Sequence, residues 1–387
     1  MKYEFHAELP FALKDGTTQS FAIAYLVGQR ERLPARWQEI QHITDDFARI
    51  LLLAQALVTG RKEEARMGTR RMAGGLRFWV QKRADGFLSR RFRWMGDLDL
   101  LPALPALKAF PPGSWSIQFT FTLHTPYLSK DDTDFYILDN PIKKEWVFKV
   151  PYVAPSQWKG ALRAAMMRNL ASDLQAGRVD EEQFVAERLR LYRLFGSEKE
   201  GAAEFLNRAW ASHRVGPRPE METESTEWEK QFRREIERVS SQFEQRLREH
   251  KYRVGDVEGF QGRLHFYPTF FNRIGLEVIN PHDRETGAGR QPIYFECVPV
   301  GATGTFTLLY VPWADSALSP DEVRRQAAED LEAVAQGVEA MMTRYGFGAK
   351  TSSGYGVADV QLETMTVQPP SQRQALLKAW SDSDADD

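Results

Sequence analysis

A glycine-rich loop near the C-terminus is the feature that most constrains the fold. It runs Arg344-Tyr-Gly-Phe-Gly-Ala-Lys-Thr-Ser-Ser-Gly-Tyr-Gly356. Apolar residues recur at helical spacing before it, at Leu331, Val334, Val338 and Met342. Residues 355–363 after it alternate as a strand does. A nucleotide-binding P-loop needs the reverse order and a Gly-Lys-Ser/Thr motif, whereas here the lysine follows an alanine. We therefore expect no nucleotide cofactor.

The composition of this loop favours a partner that carries phosphate. Glycines let the backbone approach a ligand closely. Backbone N–H groups, hydroxyls and a lysine suit phosphate, and tyrosine rings can stack on bases. A plain turn that ends a helix at Gly346 explains the same residues. The loop alone leaves both interpretations open.

Bulk composition narrows the class of protein. The chain has 387 residues, a net charge of −2 and one cysteine, Cys297, which excludes an internal disulfide and a cysteine-based zinc cluster. The sequence contains no apolar run of the roughly 18 residues needed to cross a membrane. We therefore expect a cytoplasmic protein with no membrane partner.

The region around residues 61–93 is strongly basic. It contains eleven Lys/Arg against three acids, a local net charge of +8. Aromatic residues lie among these cations, at Phe78, Trp79, Phe87, Phe92 and Trp94. Cations for phosphates and rings for bases are typical of nucleic-acid binding. A solvated surface helix has the same composition.

The pattern of elements divides the chain into three parts. Residues 1–112 form an N-terminal mixed, mainly helical domain, in which residues 1–30 are expected to be two strands. Residues 113–365 contain a strand, a long first loop, a helix, a charged helical insertion at 217–251, further strands, a helix and a strand. This order predicts an α+β, ferredoxin-like (RRM-type) core with an antiparallel sheet. Residues 366–387 form an acidic tail that we expect to be disordered.

Four segments together resemble a known family. They are Pro151-Tyr-Val-Ala-Pro-Ser-Gln-Trp-Lys-Gly-Ala-Leu-Arg163, Arg193-Leu-Phe-Gly196, Leu276-Glu-Val-Ile-Asn-Pro-His282 and the glycine loop. In this order they resemble the RAMP superfamily of CRISPR-associated proteins, and most of all the backbone-type subunits of type III effectors. The resemblance covers about residues 114–365. The sequence departs from it where the family usually has Pro-Gly-Ser-Ser-Leu and this chain has residues 154–158.

The resemblance implies that this chain is a subunit of a type III CRISPR ribonucleoprotein. Its expected partners are guide RNA, complementary target RNA and other CRISPR effector subunits. The residues expected to contact RNA are Ser156, Lys159, Arg163, Gly346, Gly348, Lys350, Thr351, Ser352, Ser353, Gly354 and Tyr355. A helix N-terminus suits phosphate, and Lys159 and Arg163 share one helix face. Ordinary helix-surface cations are the alternative explanation for these two residues, and the glycine loop favours RNA contact.

The resemblance also implies a candidate catalytic residue. The triplet Asp139-Asn140-Pro141 precedes Pro151-Tyr152 at the spacing of family members that cleave target RNA with a divalent metal ion. Asp139 is therefore the candidate, with Mg or Mn as the expected cofactor and no further metal ligand assigned. The alternatives are Asp131, Asp132 and Asp134. The alternative to a catalytic role is that Asp139 is an aspartate in a turn, since Asp-Asn-Pro is favourable turn chemistry.

Two other functions stay open. The segment Asn280-Pro-His282 and the strands after it resemble non-catalytic capping or bridging subunits of the same assembly. A third hypothesis is an endonuclease that processes precursor guide RNA through a histidine, either His124 or His282.

Overall fold

The structure is a computed structural model that describes ten ranges of the chain. They are residues 16–31, 43–57, 60–69, 72–130, 136–197, 200–219, 222–252, 259–280, 292–313 and 318–382. The residues outside these ranges include those of the first predicted strand, the last five residues of the acidic tail, and the candidates Asp131, Asp132, Asp134 and His282.

The N-terminal region is mainly helical, as predicted. Its elements are α1 (Gly16–Leu26), α2 (Asp46–Leu52), α3 (Lys62–Met67), β1 (Gly68–Thr69), β2 (Met72–Ala73), α4 (Gly75–Lys82) and α5 (Ala84–Asp97). Asp45 caps α2 by accepting a hydrogen bond from the Ala48 N–H at 2.9 Å.

One expectation for this region is wrong. The second strand predicted within residues 1–30 is the helix α1. The continuous apolar run from Ala22 to Val27 is buried all round. A short run of this kind has the same pattern in a buried strand and in a buried helix, so periodicity does not separate them.

The rest of the chain contains both helices and strands. Its elements are β3 (Trp115–Leu123), β4 (Tyr152–Val153), α6 (Pro155–Gln175), α7 (Glu181–Phe195), α8 (Glu200–Val215), α9 (Glu222–Glu249), β5 (Leu264–Phe266), β6 (Thr269–Phe270), β7 (Gly275–Ile279), β8 (Ile293–Cys297), β9 (Thr303–Tyr310), α10 (Pro320–Ala340), β10 (Ala358–Gln368) and α11 (Arg373–Asp382).

A four-stranded antiparallel sheet forms the centre of this part. The strand order is β10-β3-β9-β5, with Trp115 opposite Tyr310 and Leu123 opposite Ala358. Between β3 and β5 the chain forms β4 and the helices α6 to α9, of which α6 is the first, and α10 lies between β9 and β10. This is the β-α-β-β-α-β order of a ferredoxin-like core. The fold prediction is confirmed.

The central strand β3 shows why the sequence predicts this sheet. Alternate residues of β3 are 0–2% exposed, at Trp115, Ile117, Phe119, Phe121 and Leu123. Alternate side chains of a strand point to one face, and here that face is the core. The Trp115 ring stacks on Tyr310 of β9 with 4.8 Å between centroids.

The charged insertion is a long helix, as its apolar spacing predicts. Val239, Phe243 and Leu247 of α9 are buried. Phe243 and Leu247 form a second apolar cluster with Leu189 and Tyr192 of α7. The narrow stripe therefore packs α9 onto the ferredoxin-like core, while its many charged side chains remain toward solvent.

The expected disorder of the C-terminal tail is wrong for residues 366–382. The strand β10 extends to Gln368, and α11 follows it. Leu376, Ala379 and Trp380 of α11 are buried, and Trp380 meets Phe119 edge-on. The three apolar residues lie on one face of α11 and stabilise the helix by packing against the core. The acidic residues of the tail led to the expectation of disorder.

The N-terminal helices share one buried apolar cluster with the sheet. Phe47 of α2 stacks on Tyr136, at 6.4 Å between ring centroids. The division into domains at residues 112 and 365 remains a prediction. Among the helices that the structure describes, none is long and apolar enough to cross a membrane.

Candidate nucleic-acid interface

The N-terminus of α6 and the glycine loop lie side by side because their aromatic residues pack together. The ring of Trp158, in the first turn of α6, lies 4.5 Å from the ring of Phe347 in the loop. Both side chains are fully buried. The Trp158 Nε1–H donates to the Thr269 hydroxyl at 3.0 Å. We call this surface, formed by Ser156, Lys159 and residues 346–356, the α6–loop face.

In the first turn of α6, the Gln157 and Trp158 N–H groups donate to the Ala154 carbonyl at 2.9 and 3.1 Å, so the Ser156 N–H is the one that this turn directs toward a ligand. Ala154 is the N-cap residue and supplies no side-chain acceptor. Pro155 follows at the first helical position, where its missing N–H costs no hydrogen bond. Ser156 is exposed. An uncapped helix N-terminus carries a partial positive charge, so this turn suits an anion such as phosphate.

The glycine loop is a tightly packed turn. The Phe347 N–H donates to the Gly356 carbonyl at 3.0 Å, and the Gly356 N–H donates to the Pro126 carbonyl at 3.0 Å. Gly356 has φ +77°, and a Cβ there would lie 1.9 Å from the Phe347 oxygen. Glycine is therefore required at this position. Gly354 also has positive φ, but a Cβ there would meet nothing within 4 Å.

The predicted RNA-binding residues of this loop differ in exposure. Lys350, Ser352, Ser353 and Gly354 are exposed, Gly348, Thr351 and Tyr355 are half-buried, and Gly346 is buried. Lys350 has left-handed backbone, and its Nζ lies 5.3 Å from the centroid of the Phe295 ring. Burial and the neighbouring Glu277 raise the pKa of Tyr355. The Tyr355 hydroxyl therefore faces β7.

Lys159 sits beside a half-buried histidine of β5. Burial lowers the pKa of His265, and the positive charge of Lys159 lowers it further. The His265 Nε2 atom is buried and has no hydrogen-bond partner among the described residues. His265 is therefore neutral at pH 7 and reports on the charge of Lys159.

Arg163 contacts the Leu-Phe-Gly motif at the end of α7. Its Nη2 donates to the carbonyl of Phe195 at 2.9 Å, and its guanidinium lies 5.3 Å from the Phe195 ring. Gly196 ends the helix with φ +82°. Arg163 thus stabilises the C-terminus of α7, so the structure gives it a packing role beside the predicted RNA contact.

A cleft of about 1050 Å³ opens beside α6. It is lined by Ser156, Lys159, Gly160, Arg163, Ala164, Met167, Arg168, Phe195, Ser197, Ala202, Phe205, Gly259, Phe260 and Gln261. Three cations of α6 therefore line a cleft with an apolar floor next to the α6–loop face.

Asp139 is paired with two cations of α3. Arg66 Nη2 donates to its Oδ2 at 2.8 Å, and Lys62 Nζ lies 3.1 Å from its Oδ1. The Asp139 side chain is 66% exposed. Burial opposes ionisation, but the hydrogen bonds from Arg66 and Lys62 outweigh it and lower the pKa of Asp139. Arg66 also donates to the Ile137 carbonyl at 2.8 Å, so it fixes this part of the loop.

The described residues around Asp139 do not fit a metal site. Both of its oxygens accept hydrogen bonds from cations. No group of three His, Cys, Asp or Glu that could hold a metal ion occurs in the described part of the chain. Asp131, Asp132 and Asp134 lie outside the described residues.

Strand β8 contacts both the segment around Asp139 and the glycine loop. Asn140 pairs with Phe295, whose ring also contacts Lys350. The next residue, Glu296, is 0% exposed and binds Lys144 and the Tyr136 hydroxyl. The segment 136–144 and Lys350 therefore meet β8 at adjacent residues, although they are about 200 residues apart in sequence.

Cations of the basic helix α5 form ion pairs, and of the two candidate histidines only His124 lies within the described residues. Arg90 and Arg91 of α5 pair with Asp46 and Asp45, and the Arg91 guanidinium lies 4.7 Å from the centroid of the Trp94 ring. His124 is exposed, 3.5 Å from Asp359. His282 lies outside the described residues.

A family model of the RAMP superfamily matches residues 120–359. The chain belongs to the RAMP superfamily. The matched residues include the first turn of α6, the Leu-Phe-Gly motif and the whole glycine loop. A comparison with curated proteins gives no match.

Two solved structures are similar to this RAMP chain. One is a chain of "Cryo-EM structure of the Type III-B Cmr-beta bound to cognate target RNA", at 11% identity, covering 90% of this chain and 98% of that chain with a TM-score of 0.40. The other is Cmr6 from Pyrococcus furiosus, at 15% identity, covering 64% of this chain and 97% of that chain with a TM-score of 0.29.

Sequence reasoning missed three features of this RAMP chain. They are the Trp158–Phe347 contact, the pairing of Asp139 with Lys62 and Arg66, and the buried Glu296. All three features join segments more than 70 residues apart. A signal existed only for the third, since Glu296 interrupts the otherwise apolar run from Ile293 to Val298.

Proposed function

We propose that this RAMP chain is an RNA-binding subunit of a type III CRISPR ribonucleoprotein, which holds the guide RNA backbone on the α6–loop face. The observation that carries the proposal is the Trp158–Phe347 contact. It packs the first turn of α6 against the glycine loop, which carries the exposed Lys350. Phosphates bind to N–H groups at a helix N-terminus and to cations.

The type III assignment rests on the four-segment resemblance together with the family match over residues 120–359. Guide RNA, target RNA and neighbouring effector subunits are the partners of this proposal. A cytoplasmic location follows from the same proposal.

Salt-dependent RNA binding tests the proposal. Each cation that contacts a phosphate of single-stranded RNA contributes about 0.7 to the slope of log affinity against log salt. We expect Lys350→Gln to lower this slope by about 0.7 and to weaken binding at low salt. Lys230→Gln is the matched control, since Lys230 is an exposed lysine on α9. If Lys350→Gln and Lys230→Gln bind RNA equally well, the α6–loop face is not the guide site.

The second candidate function is cleavage of the paired target RNA at Asp139. Its support is the exposed carboxylate, whose lowered pKa keeps it ionised at neutral pH. The alternative role for Asp139 is to hold Lys62 and Arg66 in place through its two ion pairs. Assembled complexes carrying Asp139→Ala decide the question. Loss of target cleavage with RNA affinity retained would establish catalysis, and wild-type cleavage would eliminate it.

A further inference from the structure

Trp146 is an exposed aromatic residue for which the ferredoxin-like core has no structural need. Its ring is 82% exposed, the highest value among the exposed large apolar side chains of the described residues. Trp146 follows Asp139 by seven positions in the same loop. Single exposed aliphatic residues need no explanation, but a fully presented tryptophan exposes a large stacking surface.

The turn that carries Trp146 is held by its own hydrogen bonds. The Glu145 carboxylate accepts from the Val147 N–H at 2.8 Å and from the Phe148 N–H at 2.6 Å. The Glu145 N–H donates to the Val150 carbonyl at 2.8 Å. Glu145 thus fixes the backbone on both sides of the ring, so a ligand would meet Trp146 in an ordered position.

One face of the ring already carries a cation. The Lys149 Nζ lies 4.6 Å from the Trp146 ring centroid. Lys143, on the other side of the turn, lies 5.9 Å from the Tyr152 ring. A tryptophan face next to lysines matches a nucleotide, because the base stacks on the ring while the phosphate meets the cations.

The turn is close to the α6–loop face. Lys144 at its base binds Glu296, and the neighbouring Phe295 contacts Lys350. The ten residue steps from Trp146 to Ser156 span at most about 35 Å, given about 3.5 Å for each extended residue. An RNA of 15 nucleotides, about 50 Å long at 3.4 Å for each nucleotide, reaches both places.

We propose that Trp146 is a stacking platform for one base of the single-stranded RNA that crosses the α6–loop face. This inference rests on the proposed RNA binding and adds a residue to it. The contact does not depend on base identity, since every base has a π face.

Substitution at Trp146 tests the platform without disturbing the core, because the ring is exposed. The probe is a fluorescently labelled, mixed-sequence RNA of 15 nucleotides, and binding is followed by anisotropy at several KCl concentrations. We expect Trp146→Ala to weaken binding about tenfold, within the range for loss of one base–aromatic stack. Trp146→Phe keeps a ring and should retain most of the affinity. Val147→Ala, at the adjacent exposed position, should bind as wild type.

The salt slope separates stacking from charge. Trp146→Ala removes no charge, so its slope should equal that of the wild type, whereas Lys350→Gln lowers the slope. If Trp146→Ala binds RNA as tightly as wild type while Lys350→Gln does not, the platform is refuted and the α6–loop face stands. If Trp146→Ala keeps RNA affinity but loses a neighbouring subunit on purification, Trp146 docks a protein, which also refutes it. A wild-type chain that binds no RNA refutes both proposals.

Discussion

The buried pair of Glu296 and Lys144 gives the strongest prediction. Glu296 is 0% exposed, and the Lys144 side chain is 5% exposed. The Glu296 carboxylate also accepts hydrogen bonds from the Tyr136 hydroxyl and from the Ile142 N–H. Glu296→Gln keeps the shape of the side chain but removes its charge, so Lys144 remains buried without its counter-charge.

Breaking a buried ion pair by removing one partner costs about 3–5 kcal/mol. A chain of 387 residues has an unfolding entropy of about 0.8 kcal/mol per kelvin at about 2.1 cal/mol/K per residue, so a loss of about 4 kcal/mol lowers Tm by about 5 °C. Thermal unfolding followed by near-UV circular dichroism measures this shift. Hydrogen exchange of the amides in residues 136–144 should also accelerate, because Glu296 anchors that segment.

Two control variants make this test specific. Glu204→Gln removes an exposed partner of Arg208 on α8 and should change stability by less than about 0.5 kcal/mol. The double variant Glu296→Leu with Lys144→Met removes both buried charges but leaves the Tyr136 hydroxyl and the Ile142 N–H without their acceptor, so we expect it to recover only part of the loss. A Glu296→Gln protein as stable as the Glu204→Gln protein would refute the reasoning.

Three further predictions concern the site. The positive charge of Lys159 lowers the pKa of His265, so Lys159→Gln should raise that pKa. Bound RNA should raise it as well, because its phosphates are negative. An NMR titration in which neither the substitution nor RNA raises the pKa of His265 would contradict the RNA contact. In denaturant unfolding, Gly356→Ala should lower the free energy of unfolding far more than Gly354→Ala. Both glycines have positive φ, but of the two only position 356 has an atom that a Cβ would clash with. Equal losses would show that the loop moves to relieve the clash. Because the pKa of Asp139 is lowered in the folded state, ionised Asp139 stabilises the fold above its unfolded pKa of about 3.9, and this contribution is lost as pH falls through the folded pKa. The free energy of unfolding of Asp139→Asn should therefore depend less on pH below about pH 4. The difference should be at most about 1 kcal/mol, because the carboxylate is exposed.

The sequence predicts the elements of this fold well where the apolar pattern is long. The strand β3, the helix α9 and the helix before the glycine loop each have one buried face, and their periodicity is visible in the sequence. The short run of α1 was assigned to the wrong class because helix and strand share its pattern. The helix α11 was missed because the acids around it suggested disorder.

The site was predicted as separate pieces. Local motifs identified the first turn of α6 and the glycine loop, since glycines, hydroxyls and lysines cluster there in the sequence. Their contact depends on two aromatic side chains, Trp158 and Phe347, which are almost 190 residues apart. The partners of Asp139 are 73 and 77 residues away. Contacts between residues so far apart in sequence form only when the chain packs, so local sequence patterns do not reveal them.

The Trp158–Phe347 contact has a thermodynamic consequence for the proposed binding. Both rings are already buried in the absence of RNA, so their apolar surface is not removed from water a second time on association. The heat-capacity change of binding at the α6–loop face should therefore be small. Because the backbone there is already ordered, little conformational entropy is lost, and association should be fast and governed by ionic strength.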